Sequence, residues 1–272
     1  MRAIIGSISS DIGMALARHW HGKGWEIAGT FRAGSEGVSE LDDLGALLLH
    51  ADFSDVDSIK KVCSQLADQF GEWDVLVVCP ASLEPVGLFE EINFDDWRRS
   101  IELNLTNQLG FIHALLPNRR AGEGECPSVI TWAGGGMNDA PQRYSAYTLS
   151  KIAQVKMMEL LDAEIADTKF VILGPGWVHT KIHNETLAAG SVAGDNFDKT
   201  SDKLKSGGWT QMDRVLSCCD WVISVPREIV GGRNFSVAHD AWGEASLGKA
   251  LSNDADMYKL RRNKNDWSDK TE

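Results

Sequence analysis

The sequence lacks an excess of basic residues. Its 272 residues contain 27 Lys and Arg against 39 Asp and Glu, which gives a formal net charge of −12. A surface of this sign repels the phosphates of nucleic acids and the headgroups of anionic membranes. We therefore expect neither a nucleic-acid nor a membrane partner, although a local basic site for one phosphate group remains compatible with this charge.

Cysteine is scarce, and its spacing excludes the usual metal and redox motifs. The five cysteines include no C-x-x-C pair, so we predict neither a zinc ribbon nor a thioredoxin-type site, and no metal site elsewhere. An odd number of cysteines suits a reducing compartment. The chain has no apolar run of membrane-spanning length, and residues 1–6 enter an apolar strand without a leader-like segment. We expect a cytoplasmic protein.

Internal repeats, low-complexity tracts and linkers are absent as well, and a single pattern of alternating strands and helices runs along the chain. Apolar runs predict strands at 3–5, 25–31, 46–49, 74–79, 126–132, 169–173 and 233–237. Helical periodicity predicts helices at 14–20, 56–70, 94–116, 145–165 and 211–223. These spacings suit right-handed crossovers. We predict a single-domain α/β protein with a Rossmann-like, doubly wound parallel sheet and helices on both faces.

A turn rich in small residues follows the first predicted strand. Its sequence, Gly6-Ser-Ile-Ser-Ser-Asp-Ile-Gly13, leads into a helix whose N-terminal N–H groups and dipole favour a pyrophosphate. Ser9 and Ser10 add hydroxyl donors. A tight turn that binds no ligand explains this stretch about equally well when it is considered alone.

The second predicted strand ends in Gly29-Thr-Phe-Arg32, where dinucleotide folds that prefer NAD usually place a carboxylate. An arginine suits a 2′-phosphate because its guanidinium donates two charge-assisted hydrogen bonds. We predict NADP(H) as the favoured cofactor, with NAD(H) possible. A surface arginine without a ligand is the alternative.

Tyr147 and Lys151 stand four residues apart in a helical stripe and are therefore expected on one face of that helix. A nearby fixed cation favours the phenolate, and a phenol pKa lowered by ~3 units corresponds to about 4 kcal/mol. We predict that Lys151 lowers the pKa of Tyr147, which then exchanges protons as acid and base near neutral pH.

The order of these motifs resembles the short-chain dehydrogenase/reductases over nearly the whole chain. Tyr147 and Lys151 match the catalytic pair of that family. Asn104 in Ile-Glu-Leu-Asn-Leu-Thr matches the helix asparagine whose backbone helps to hold a water of the proton relay. Asp52 matches the acid that meets the adenine. The resemblance further implies the following cofactor-binding residues: Gly6, Ser9, Ser10, Asp11, Ile12, Arg32, Asp52, Phe53, Cys79, Pro80, Ala81, Tyr147, Lys151, Pro175, Gly176, Val178 and Thr180.

The glycine turn departs from the family pattern Thr-Gly-x-x-x-Gly-x-Gly. Counting back from Gly13 puts Ser7 and Asp11 in the first two glycine places, whereas a one-residue insertion would keep Gly6 as the first glycine. In the first register Asp11 has to point away from the pyrophosphate. The segment after the fourth strand also differs, because Cys79-Pro-Ala81 stands in the family's Asn-Asn-Ala-Gly and a proline has no N–H to donate.

The catalytic serine of the family has no counterpart, because its place about thirteen residues before the tyrosine falls in Thr131-Trp-Ala-Gly-Gly135, where neither Ala133 nor Gly134 has a hydroxyl. Loss of such a donor weakens transition-state stabilisation by ~1–4 kcal/mol, by analogy with oxyanion donors. We predict that Asn138 replaces it, with Thr131, Tyr144 or a water as alternatives. The glycines here would otherwise make room for a bulky substrate.

The resemblance implies a dinucleotide-binding domain over 1–243, which includes a substrate lid at 182–210, and a C-terminal extension at 244–272. The lid and its root mix polar side chains, among them His179, His183 and Glu185, with Trp177 and Trp209, which suits a small polar substrate such as a carbohydrate. We therefore predict an NAD(P)(H)-dependent carbonyl reductase or alcohol dehydrogenase. Two alternatives are a nucleotide-binding sensor or scaffold with weakened catalysis and a sugar-nucleotide-modifying relative.

The resemblance to the family also implies a homodimer or homotetramer. The C-terminal extension, which contains Tyr258 and Trp267, would dock on a neighbouring subunit or be disordered.

Overall fold

The computed structural model describes residues 1–122, 124 and 126–263. Its strands are β1 Arg2–Gly6, β2 Glu26–Phe31, β3 Leu47–His50, β4 Val75–Val78, β5 Ser128–Trp132, β6 Lys169–Gly174 and β7 Asn234–Ser236. They form one parallel sheet in the order β3-β2-β1-β4-β5-β6-β7. The strand order reverses between β1 and β4, and ligands bind at such a switch point in open parallel sheets. The predicted α/β fold is confirmed.

Helices cover both faces of this sheet. They are α1 Asp11–His21, α2 Glu36–Asp43, α3 Val56–Gln69, α4 Phe94–Ile101, α5 Asn107–Leu115, α6 Ser145–Glu164, α7 His183–Ala189, α8 Asp195–Ser206, α9 Met212–Ser224, α10 Arg227–Val230 and α11 Ala245–Asn253. None of the helices in the described ranges is long and apolar enough to cross a membrane.

The central strands are mostly apolar because they are buried on both faces, as in β4, whose residues Val75–Val78 are all buried. In β1, Ala3 and Ile5 enter the core that contains Trp20 of α1, whereas Ile4 enters the opposite core with Leu66 of α3. Side chains of a strand alternate between its two sides, so one short run of residues contributes to two cores.

The helices differ from the sequence prediction in several places, and neither α10 nor α11 was predicted. The predicted helix at 94–116 is divided into α4 and α5 by a π-helical turn, Glu102–Thr106, which contains Asn104. The predicted lid is helical, with α7, a 3₁₀ turn at Gly190–Ala193, and α8. Helix α2 was missed because its eight residues bury only Val38 and Leu41, too few for a recognisable stripe.

The first part of the C-terminal extension packs on its own chain. Leu247 and Leu251 of α11 are buried, and the buried Arg233 donates hydrogen bonds to the carbonyls of Leu251 at 2.8 Å and Asp254 at 3.1 Å. The ring of Tyr258 packs edge-on against the core at Phe235. Trp267, expected to anchor the extension, lies outside the described residues.

Candidate active site

A cleft of about 1150 Å³ opens at the carboxyl ends of the central strands. All of the predicted cofactor residues line it except Gly6, which ends β1 in the core, where an added Cβ would lie 3.1 Å from the Phe111 ring. Tyr147 and Lys151, the predicted catalytic pair, line the same cleft. The motifs spread over the sequence therefore meet at one edge of the sheet.

The backbone of the small-residue turn decides between its two possible registers. Ser7 has a φ of 59°, the left-handed conformation that favours glycine, and its N–H donates to the Thr30 hydroxyl at 2.9 Å. Ser7 therefore stands in the first glycine place of the motif. A Cβ on Gly13 would lie 2.8 Å from both Ser10 Oγ and the Ser7 carbonyl, so this position accepts only glycine. The tight cradle at the N-terminus of α1 fits a pyrophosphate.

Asp11 begins α1 and points away from the turn. Its Oδ2 accepts a hydrogen bond of 2.7 Å from the N–H of Lys181, at the root of the lid, and the Lys181 ammonium lies 3.9 Å from Oδ1. A backbone donor and a cation thus hold the carboxylate. This orientation is the one that the first register requires of an aspartate beside a phosphate site.

Arg32 and Asp52 flank the far end of the cleft. Arg32 is exposed at the end of β2, and no carboxylate replaces it there. Oδ1 of Asp52 accepts hydrogen bonds from the N–H and hydroxyl of Ser54. Burial alone would raise the pKa of Asp52, but these bonds and the positive charges of Arg32 and His50 outweigh it and lower the pKa. Asp52 is ionised at neutral pH and keeps Oδ2 for a ligand.

Tyr147 and Lys151 share one face of α6, as predicted, and the Lys151 ammonium lies 5.8 Å from the centre of the phenol ring. The prediction that Lys151 lowers the pKa of Tyr147 is wrong for this structure. Burial raises the pKa of Tyr147 to about 12, and the negative charge of Glu185 on α7 adds to the effect. Burial also lowers the pKa of Lys151 to about 8. Burial dominates at both residues because a desolvated site disfavours the charged form, which is the phenolate for Tyr147 and the ammonium for Lys151.

Asn104 lies fully buried in the π-helical turn and does not line the cleft itself. Its side-chain oxygen accepts from the N–H of Ser82 at 3.0 Å, and its amide nitrogen donates to the Ser82 carbonyl at 2.9 Å. This two-bond clamp fixes the loop after β4, which borders the cleft. A π-helical turn frequently marks a functional position in a helix.

Comparison with known proteins agrees with this geometry. The profile of the short chain dehydrogenase family matches residues 2–189. This chain belongs to the short-chain dehydrogenase family. It is therefore an oxidoreductase of a family that uses NAD(P).

Among relatives, a cis-4-hydroxycyclohexanecarboxylate dehydrogenase of Sinomonas cyclohexanicum is 29% identical over 185 residues, which cover 66% of this chain and 74% of that protein. A short chain dehydrogenase/reductase of Saccharomyces cerevisiae superposes with a TM-score of 0.77 at 17% identity, over 91% of this chain and 98% of the other. An actinorhodin polyketide ketoreductase solved with NADPH gives 0.73 at 22% identity, over 87% and 95%. The solved structures show the shared fold.

In this short-chain dehydrogenase the side chain of Tyr147 lies against Gly134, where the family has its serine. A Cβ on Gly134 would lie 2.8 Å from Cε1 and 2.9 Å from the hydroxyl oxygen of Tyr147, and 3.0 Å from Cγ of Lys151. Carbon atoms in ordinary contact are ≈ 3.5–4.0 Å apart. The glycine therefore allows the phenol to lie directly against the end of β5.

The prediction of Asn138 as the replacement donor is wrong. Its side chain is exposed, and it does not line the cleft. Among the alternatives, Thr131 is buried in β5 away from the cleft, whereas Tyr144 lines it. The Tyr144 hydroxyl pairs with the hydroxyl of Thr186 on α7 at 2.8 Å. When Thr186 donates in that pair, the Tyr144 proton is free to point into the cleft.

The lid contributes polar and aromatic groups to the end of the cleft beside Tyr147. Glu185 accepts hydrogen bonds from the Ser82 hydroxyl at 3.1 Å and the Leu83 N–H at 2.5 Å, and burial raises its pKa. His183 stacks on Trp177, with ring centres 5.1 Å apart and planes within 8°. The sequence analysis placed Glu185 in the lid with these histidines, but its hydrogen bonds to the loop after β4 could not be predicted, because a lone glutamate in a polar stretch does not indicate its partner.

Proposed function

We propose that this protein is an NAD(P)(H)-dependent carbonyl reductase or alcohol dehydrogenase in which Tyr147 exchanges the proton. The single observation that carries this proposal is the pair Tyr147 and Lys151, which face one cleft from one side of α6 beside the switch point of the sheet. The nicotinamide cofactor supplies hydride transfer when it is bound. Tyr147 meets the oxygen of the reacting carbonyl or alcohol, and Lys151 binds the hydroxyls of the nicotinamide ribose.

The protonation states favour the direction of carbonyl reduction. With a pKa of about 12, Tyr147 keeps its proton at neutral pH and can donate it to the carbonyl oxygen as negative charge develops there. Oxidation of an alcohol needs the phenolate, which the buried site disfavours. We therefore propose reduction as the faster direction near pH 7.

NADP(H) is the proposed cofactor because of Arg32. The exposed guanidinium stands at the end of β2, on the rim of the cleft and without a competing carboxylate on that strand end. A 2′-phosphate at this point would accept two charge-assisted hydrogen bonds from it. NAD(H) would leave Arg32 without this partner.

The proposed substrate is a small polar compound with hydroxyl groups. Glu185 offers an acceptor, and the hydroxyls of Tyr144 and Thr186 offer both donors and acceptors at the same end of the cleft. Trp177 adds an aromatic face, which suits the C–H surface of a sugar ring. We further propose a cytoplasmic location, since the cysteines at 63, 79, 126, 218 and 219 are free thiols, as in reducing compartments. A homodimer or homotetramer is proposed from the family resemblance alone.

The test combines binding with turnover. NADPH and NADH binding is followed by fluorescence, and NADPH oxidation is measured with a panel of ketones, hexoses, polyol-derived ketoses and oxo acids. We expect turnover of at least one compound, and its loss in Tyr147→Phe with NADPH binding retained. Arg32→Ala should weaken NADPH at least tenfold more than NADH, and equal weakening would exclude contact with the 2′-phosphate.

A second candidate is a nucleotide-binding sensor with weakened catalysis, favoured by Gly134 in the place of the catalytic serine. Tight NADPH binding with no turnover of any compound, and no difference between wild type and Tyr147→Phe, would support the sensor. Protein that binds neither dinucleotide would contradict both candidates.

A further inference from the structure

Two fully buried glutamines lie beneath the catalytic lysine. The Lys151 ammonium donates to Oε1 of Gln154 at 3.3 Å, and Nε2 of Gln154 donates to Oε1 of Gln108, on α5, at 2.6 Å. Nε2 of Gln108 donates in turn to the carbonyls of Pro80 at 2.8 Å and Leu103 at 3.1 Å. Both glutamines are 0% exposed. A continuous chain of hydrogen bonds thus joins the lysine to the backbone of the loop after β4.

The direction of this chain is fixed from both ends. Backbone carbonyls only accept, so Gln108 has to turn its NH₂ toward Pro80 and its oxygen toward Gln154. Gln154 then has to turn its NH₂ toward Gln108 and its oxygen toward Lys151, which only donates. Flipping either amide would place two donors or two acceptors against each other. The chain therefore always presents an acceptor to the ammonium.

Within the described part of the chain, Gln154 is the only hydrogen-bond partner of the Lys151 ammonium. The lysine is 3% exposed. The titratable groups that face it are Tyr147 on its own helix and Cys79 on the loop after β4, with Glu185 on α7 acting on Tyr147. Burial raises the pKa of Cys79 to about 11, so both it and Tyr147 are neutral at pH 7. None of these groups forms a hydrogen bond with the ammonium in the structure.

We propose that Gln154 is the positioning residue of Lys151, and that Gln108 locks Gln154 in the orientation that does so. Gln154 takes one of the three N–H donors of the ammonium, keeps the lysine charged against its burial, and leaves two donors for the cleft. The anchor at Pro80 ties this position to a loop that lines the cofactor cleft. This inference rests on the proposed function for the role of the oriented ammonium, which is to bind the ribose hydroxyls.

The test measures the titration of Lys151 directly in the protein without cofactor. Protein labelled with ¹³C at lysine Cε is followed by NMR from pH 6 to 10, and the Lys151 signal is identified by its absence in Lys151→Met. Loss of the acceptor favours the neutral amine, so Gln154→Met should lower the midpoint by about one unit, as expected for one hydrogen bond to a charged group. Gln154→Glu should raise the midpoint, because a carboxylate favours the ammonium; it is combined with Gln108→Met so that no amide oxygen faces the new carboxylate.

Ser150→Ala is the matched control. Ser150 is fully buried on the same helix, and its hydroxyl has no hydrogen-bond partner in the described structure, so its loss should leave the Lys151 midpoint unchanged. NADPH binding is measured in parallel by fluorescence at pH 7.5. We expect Gln154→Met to weaken it roughly tenfold through the smaller charged fraction of Lys151 and its lost orientation, and Ser150→Ala to leave it unchanged.

An unchanged Lys151 midpoint in folded Gln154→Met would overturn the inference. If that variant does not fold, judged by circular dichroism, Gln154→Glu combined with Gln108→Met decides in its place, and a midpoint that fails to rise overturns the inference equally. Failure of the proposed function gives a different result. In that case wild-type protein binds neither NADPH nor NADH, while the midpoints still show whether Gln154 holds Lys151.

Discussion

Restoring the serine of the family at Gly134 should harm this protein. The first added atom, Cβ, would lie 2.8–3.0 Å from the Tyr147 ring, the Tyr147 hydroxyl and the Lys151 side chain, about 0.5–1 Å inside ordinary contact. Overpacking of this kind lowers the free energy of unfolding by about 1–3 kcal/mol. A loss of about 2 kcal/mol lowers Tm by roughly 4–8 °C. Relief requires Tyr147 to leave its position, so we expect Gly134→Ser to lose turnover even though it gains a hydroxyl.

The assay pairs thermal unfolding with NADPH oxidation in Gly134→Ser, Gly134→Ala and Gly135→Ala. The neighbouring Gly135 is the matched control because nothing lies within 4 Å of a Cβ placed there. We expect the Gly135 variant to resemble wild type, and both Gly134 variants to be less stable and less active. A Gly134→Ser protein as stable as wild type with faster turnover would refute the reasoning, since it would show that the serine is simply missing.

Three further substitutions test other parts of the structure. Ser7→Gly should stabilise by about 0.5 kcal/mol in urea unfolding, because relief of the left-handed strain exceeds the entropy cost of glycine, whereas Ser9→Gly should destabilise. Arg261 holds the pKa of Glu159 at about 2, so this pair stabilises above pH 4.5 and its contribution fades as pH falls toward 2. We expect this pair to contribute about 1 kcal/mol to the free energy of unfolding. Urea unfolding measured as a function of pH should show this contribution in the wild type and should not show it at any pH in Arg261→Ala. Arg233→Met should cost about 2–4 kcal/mol in thermal unfolding, because buried carbonyls at the end of α11 lose their donor; an unchanged Tm would contradict this role.

The sheet could be predicted because its strands carry their signal in composition alone. A strand buried on both faces, such as Val75–Val78, is a short apolar run whatever its neighbours are. Helix α2 escaped prediction because it buries only two apolar residues, Val38 and Leu41. The lid helices α7 and α8 escaped because the single residue that each buries, Thr186 and Thr200, is not apolar.

The site residues that belong to a sequence motif could be predicted. The pair Tyr147 and Lys151 and the Asp52 position follow from spacing and order, but the protonation states do not, because desolvation depends on packing that spacing leaves open. Asn138 failed for the same reason, since closeness in sequence to β5 does not place a side chain in the cleft. Gln154 could have been recognised from the sequence, because it is a polar residue one helical turn after Lys151.

The root of the lid is held by three contacts, each to a different part of the site. Lys181 bonds Asp11, Glu185 bonds the loop after β4, and Thr186 bonds Tyr144. Beyond α7 the chain turns at Gly190, Gly194 and Gly207, all with positive φ. Because these three contacts join the lid to α1, to the loop after β4 and to the start of α6, loss of any one of them should loosen the wall of the cleft together with the lid.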